Sequence, residues 1–209
     1  MASGQAGRLF RGRLRPLLAL GFTLWWTVLA IRPSYRADWL LENLLVFAGV
    51  PLFLWLERRV RFSTLSWVAV FLFLSVHVYG AHYTYSESPF GFWLREALGT
   101  VRNPYDRLVH FLFGLLLGVP MREALAATMQ ASRRLVSLTA IAWIAALSTV
   151  YELLEWGAML IVAPELGIAF MGTQGDVFDA HKDSALAVAG AIVAVALAHW
   201  LARQQRAGV

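Results

Sequence analysis

Six long apolar runs, separated by short polar stretches rich in arginine, set the pattern of this chain. A helix rises 1.5 Å per residue, so roughly 20 apolar residues cross a hydrocarbon core of about 30 Å. The runs lie at 14–31, 39–56, 65–82, 105–119, 135–162 and 183–201. They predict an all-α integral membrane protein: a bundle of six transmembrane helices forming one domain over residues 1–209. The fourth run is short, as suits a helix packed inside the bundle, and the fifth is long enough to tilt. The longest connection, 83–104, holds Pro89-Phe90-Gly91-Phe92-Trp93-Leu94-Arg95-Glu96, whose alternating apolar and charged residues predict a short helix lying in the interface.

The basic residues orient the bundle. With the N-terminus in the cytoplasm, Arg8, Arg11, Arg13, Arg15, Arg58, Arg59, Arg61, Arg122, Arg133, Arg134, Arg203 and Arg206 fall inside. Arg32, Arg36, Arg95, Arg102, Arg107 and Lys182 fall outside. This excess on one side places both termini in the cytoplasm. The first run ends in Val28-Leu29-Ala30, a tolerable cleavage pattern, but its length and Trp25-Trp26 suit a helix that stays.

Composition agrees. The chain is 59% hydrophobic and 15% charged, against about 25% charged in an ordinary soluble domain. It has no cysteine, which excludes disulfides, thiolate chemistry and cysteine-ligated metals. The net charge of +5 does not indicate nucleic acid, because the arginines flank membrane spans and form no soluble basic face. The partners expected are membrane lipids.

Against this apolar background the ionisable residues stand out. Asp106 and His110 are four apart at the start of the fourth run, so a helix puts them on one face. Glu152 and Glu155 fall late in the fifth run, and Asp176, Asp179 and Asp183 lead into the sixth. With alternating helix directions, all of these groups lie at the outer end of the bundle. His77 and His82, late in the third run, fall at the same level; a lone histidine such as His77 is more often a hydrogen-bonded core residue. Gly114, Gly118, Ala187, Gly190 and Ala191 let helices four and six approach closely there. The acids outnumber the nearby Arg102, Arg107 and Lys182. A partly desolvated site with that excess requires protonated carboxyls, a bound cation, or both. Carboxylates with histidine suit zinc, manganese, iron or magnesium, and such an ion activates water near neutral pH. Sequence motifs of zinc proteases, serine hydrolases, nucleotide-binding P-loops, membrane desaturases and the common lipid phosphatases are absent.

Asn-Pro-Tyr-Asp-Arg-Leu-Val-His-Phe at 103–111, Tyr-Glu-Leu-Leu-Glu-Trp at 151–156 and Gly-Thr-Gln-Gly-Asp-Val-Phe-Asp at 172–179, with Asp183 and Gly190-Ala191 beyond, resemble the signature of the YjdF-type inner-membrane proteins of bacteria. That family tends to have tryptophan where this chain has Phe178. A weaker similarity links Asp106-Arg107-Leu108-Val109-His110 and the acidic start of the last helix to VanZ-like membrane proteins, which are associated with envelope and glycopeptide-antibiotic phenotypes. VanZ-like proteins usually carry an asparagine in the last helix, and this chain has none there.

The sequence therefore leads to a metal-dependent membrane enzyme acting, by hydrolysis, on a lipid-linked or amphipathic envelope substrate. Asp106, His110, Glu152, Asp179 and Asp183 are the expected metal ligands. Glu155 or Asp176 is the expected general base, and Arg102 and Arg107 meet a substrate anion. Helices one and two are expected only to shield the pocket from lipid. The alternatives are a proton- or cation-coupled transporter, disfavoured by the apolar stretches 138–147 and 186–197, and a non-catalytic scaffold or lipid-binding protein.

Overall fold

The computed structural model describes residues 2–161 and 173–207, with side chains between 13 and 204 in that range. Gly172, Val162 and the side chains of Arg8, Arg11 and Arg206, on which expectations rested, lie outside the described residues. Among the described residues the chain forms seven helices and no strand. These are α1 (Ala2–Leu29), α2 (Arg36–Val60), α3 (Thr64–His82), α4 (Pro89–Leu98), α5 (Tyr105–Thr128), α6 (Arg133–Ile161) and α7 (Asp179–Ala207). Five of them, α2, α3, α5, α6 and α7, are long and apolar enough to cross a membrane.

The surface is apolar where a soluble protein would be polar. Leu20, Leu24, Leu44, Leu138, Trp143 and Leu154 are exposed, while Glu42, Asn43, His77, His110, Ser148 and Asp183 are buried. This inversion is what a lipid solvent demands: hydrocarbon solvates leucine as well as a protein core does and cannot hydrogen-bond a polar group.

The fourth apolar run, expected to end near 119, continues as α5 to Thr128 through Pro120. Hydropathy falls at Arg122 and Glu123, but helix propensity does not. The 83–104 connection does contain a short helix, α4, with Pro89 in its first turn, Ser88 Oγ accepting from Gly91 N, and Gly99 at φ 63° closing it.

The closest pairing in the fold is α5 against α7. A Cβ on Gly114 would overlap the Ala187 carbonyl, and one on Gly190 would overlap the Phe111 carbonyl. The two backbones therefore touch with no side chain between them, and Ile144 of α6 closes over Ala187 and Ala191. On the other side, α5 packs on α3 through Phe73, Leu74, Tyr105 and Val109, joined by Tyr85. At the end away from α4, Glu57 of α2 accepts from Arg15 Nη1 (2.5 Å), from Phe62 N (2.9 Å) and from Trp67 Nε1 (3.2 Å). That one carboxylate ties α1, α2 and α3 together.

The α5–α7 contact is testable against a glycine that meets nothing. Gly114→Leu must separate the helices and is expected to cost about 3 kcal/mol, the upper end of core overpacking. Gly49→Leu has open space around its Cβ and is expected to be silent. Thermal melting of the detergent-purified variants, followed by fluorescence-detected size exclusion, checks this; equal melting of the two would refute it.

Candidate functional site

The connection before α5 places the site. Asn103 is buried, and its side chain folds two elements at once: Nδ2 donates to Ser88 O (3.1 Å) and Oδ1 accepts from Tyr105 N (3.0 Å). Its backbone is gripped by Gln174, which accepts from Asn103 N (2.8 Å) and donates to Asn103 O (3.0 Å). Gln174 and Gly175 adopt left-handed backbone, φ 48° and 85°, forming the turn that enters α7. This paired amide contact joins the 103–111 motif to the 172–179 motif and aligns the starts of α5 and α7.

The acids then divide into two layers. The outer layer is saturated with arginine and lysine. Arg102 donates to both carboxylate oxygens of Asp179 and lies 3.9 Å from Asp106 and from Asp176. Arg107 reaches Asp176 (2.5 Å) and Asp179 (3.4 Å), and Lys182 also reaches Asp176 (2.5 Å). The Lys182 hydrogen bond, the Phe178 N–H and Arg107 hold the Asp176 carboxyl down to about 2. Burial works against the Arg102 charge, but the Asp179 hydrogen bond and the surrounding carboxylates outweigh it and keep its pKa above the ordinary arginine value.

The inner layer has the opposite character. His110 Nε2 lies 3.6 Å from Asp106 Oδ1 and 3.4 Å from Glu152 Oε1, while Nδ1 faces Ser148 Oγ at 3.5 Å. Asp106, His110 and Asp183 each offer a ligand atom, all within 4.8 Å of one another. Glu152 Oε1 and Asp183 Oδ1 are buried and have no hydrogen-bond partner among the described residues. A buried carboxylate oxygen without a donor is costly, and protonation of the acids or a shared cation beside the histidine nitrogen would relieve that cost. Ions with bonds of about 2.0–2.5 Å hold their ligand atoms roughly 3–5 Å apart, so the spacing fits. The donor set, carboxylate oxygen with imidazole nitrogen and no sulfur, fits zinc, manganese, iron or magnesium. Ser148 facing Nδ1 is the kind of partner that turns the other ring nitrogen toward a metal.

Of the residues expected at the site, Asp106, His110, Glu152 and Asp183 stand together. Asp179 and Asp176 face Arg102, Arg107 and Lys182 instead. Glu155 sits one turn beyond Glu152, half-buried, with no hydrogen bond or ion pair among the described residues. His77 belongs to a separate buried network: Nε2 donates to Glu42 O (3.1 Å) and Nδ1 accepts from Tyr85 OH (2.5 Å). That pattern assigns a neutral tautomer, inferred from the partners. Burial pushes the Tyr85 phenol well above its ordinary range, so it stays a donor. His82 Nδ1 lies 2.7 Å from Leu29 O, tying α3 to α1.

The expectation that α2 only shields the pocket is corrected. Glu42 is buried and accepts from Tyr151 OH at 2.5 Å; Tyr151 in turn packs edge-on against His110. Asn43 is fully buried and accepts from Trp26 Nε1 (2.7 Å), and Asp38 accepts from Thr84 Oγ1 (2.7 Å). The signal was present: Glu42-Asn43 lies just inside an apolar run, where an acid is expensive unless it faces the interior.

Apolar-surfaced helices enclosing an acid–histidine cluster define a polytopic membrane protein. The chain belongs to the family described as "Predicted membrane protein (DUF2238)", whose model matches residues 14–204. It is 36% identical to the Inner membrane protein YjdF of Escherichia coli (strain K12) over 199 residues, covering 92% of this chain and 95% of that protein. No solved structure matches the chain. The chain is a multi-pass inner-membrane protein, and the YjdF-type resemblance of its motifs is borne out.

The outer layer carries a pH prediction. Because the folded Asp176 carboxyl sits at about 2, below the ordinary 3.8, its ion pairs stabilise fully above pH 4. They are lost as pH falls through about 2. Asp176→Asn is therefore expected to melt below wild type at pH 5 to 7, with the gap closing between pH 4 and 2. A gap independent of pH would count against the ion-pair account.

Proposed function

We propose that this protein is a metal-dependent membrane enzyme acting by hydrolysis on an amphipathic or lipid-linked molecule of the envelope. Six spans with both termini in the cytoplasm bring the site to the periplasmic end of the bundle. One observation carries the reading: His110 Nε2 faces Asp106 and Glu152 while carboxylate oxygens of Glu152 and Asp183 are buried without a donor. Asp106, His110 and Asp183 would hold the ion, with Glu152 beside them. A divalent ion there would supply Lewis acidity and lower the pKa of water.

The remaining residues sort by what they already touch. Asp176, held at about 2, is a weak base, whereas Glu155 is free of cations among the described residues and takes the general-base role. Asp179 anchors Arg102, and Arg107 exchanges Asp176 for a substrate anion such as phosphate. Phe90, Phe92 and Trp93 of α4 are exposed beside the site, a surface on which the apolar part of a substrate can lie. The carrier reading lacks a path: below the acids, α5 and α7 are in backbone contact at Gly114 and Gly190.

Metal analysis of purified protein tests the proposal. Wild type is expected to hold about one equivalent of a divalent ion, natively or after loading with zinc, manganese or magnesium. Asp106→Asn and Asp183→Asn are expected to bind at least about tenfold more weakly, and Glu42→Gln is expected to retain it. Folded wild type without metal after loading would end the hypothesis.

A further inference from the structure

A second cluster of ionisable groups lies about 24 Å along α5 from Asp106, at the opposite end of the bundle. Arg122, near the end of α5, and Arg133, opening α6, line a cavity of about 380 Å³ with Ala126, Met129, Ala131 and Val136. Arg122 is fixed from behind. Its Nε donates to Ser137 Oγ at 3.3 Å, and Ser137, itself buried, lies 3.3 Å from His199 Nε2 on α7. The two terminal nitrogens of Arg122 make no hydrogen bond among the described residues, nor does the Arg133 guanidinium. Glu123, the adjacent acid, is turned away to Ser63, whose N and Oγ it accepts from at 2.9 and 2.6 Å. Among the described residues no carboxylate lies within ion-pair distance of either arginine.

We infer that this cavity is a binding site for a phosphate-bearing anion. Two arginines from different helices line one concave space large enough for a phosphate and its substituent. One of them is oriented by a buried serine, which leaves its forked donors free for bidentate pairing. Arg122 differs in this from the other arginines at that end of the bundle: Arg58, Arg59 and Arg133 are exposed, with Arg59 lying on Trp55. The phosphate is that of an anionic lipid headgroup or of a small soluble phosphate, since the chemistry of recognition is the same.

The experiment compares two double variants of the full chain that each remove two positive charges from one end: R122Q/R133Q and R58Q/R59Q. Melting in detergent is measured with inorganic phosphate against chloride at equal ionic strength, and retained phosphatidylglycerol is read by native mass spectrometry. Wild type and R58Q/R59Q are expected to be stabilised by phosphate, to retain the lipid, or both. R122Q/R133Q is expected to lose that response, with apparent affinity down at least about tenfold. A phosphate response alone identifies a soluble ligand, lipid retention alone identifies a headgroup, and both together show one site serving either. Equal losses in the two double variants, or no response in wild type, would overturn the assignment.

Discussion

The backbone contact between α5 and α7 is the constraint on which the rest depends. Gly114 and Gly190 each leave no room for a Cβ, so the two helix backbones are in direct contact. One turn toward α4, that proximity sets Asp106 and His110 against Asp183. A wider spacing would admit lipid or leave each acid alone in hydrocarbon, where an unpaired charge is prohibitive. The packing of small residues and the clustering of acids are thus one feature: the first removes the distance that the second cannot tolerate.

Charge neutralisation is graded along the bundle. Near the water interface the acids meet arginine and lysine, and the Arg102–Asp179 pair is a two-pronged contact that also fixes the α4–α5 connection to α7. One turn deeper the cations stop and a histidine takes over, with buried carboxylate oxygens that nothing among the described residues satisfies. Folding does not need that deeper layer to be acidic, since leucine there would pack at no electrostatic cost. Buried acids where an apolar layer would pack are the feature that supports reading this layer as a site. Tyr151, placed between Glu42 and His110, links this layer to a further buried acid on α2.

The apolar pattern by itself determined that the chain is helical and crosses a membrane, because span length and hydrocarbon thickness leave no other regular solution. The level of the site was legible too. Asp106, Glu152 and Asp183 each fall at one end of an apolar run, and alternating helix direction brings those ends together. Helix ends were less legible: Pro120 and Arg122 stop a hydropathy reading near 119, whereas the helix stops only where its backbone bonds do, at Thr128.

Only the tertiary structure decided which acid meets which partner. Spacing along a helix says that Asp176, Asp179 and Asp183 can share a face, but not that the first two turn to arginine while the third is buried beside His110. That division depends on the rotation of α7 about its axis, set by Gly190 against Phe111 and by the Gln174–Asn103 pairing. The entry of Glu42 into the core and the diversion of His77 into a tyrosine network are likewise matters of helix rotation. Amphipathic periodicity is weak in helices that are apolar on nearly every side, so a membrane sequence declares depth more clearly than direction.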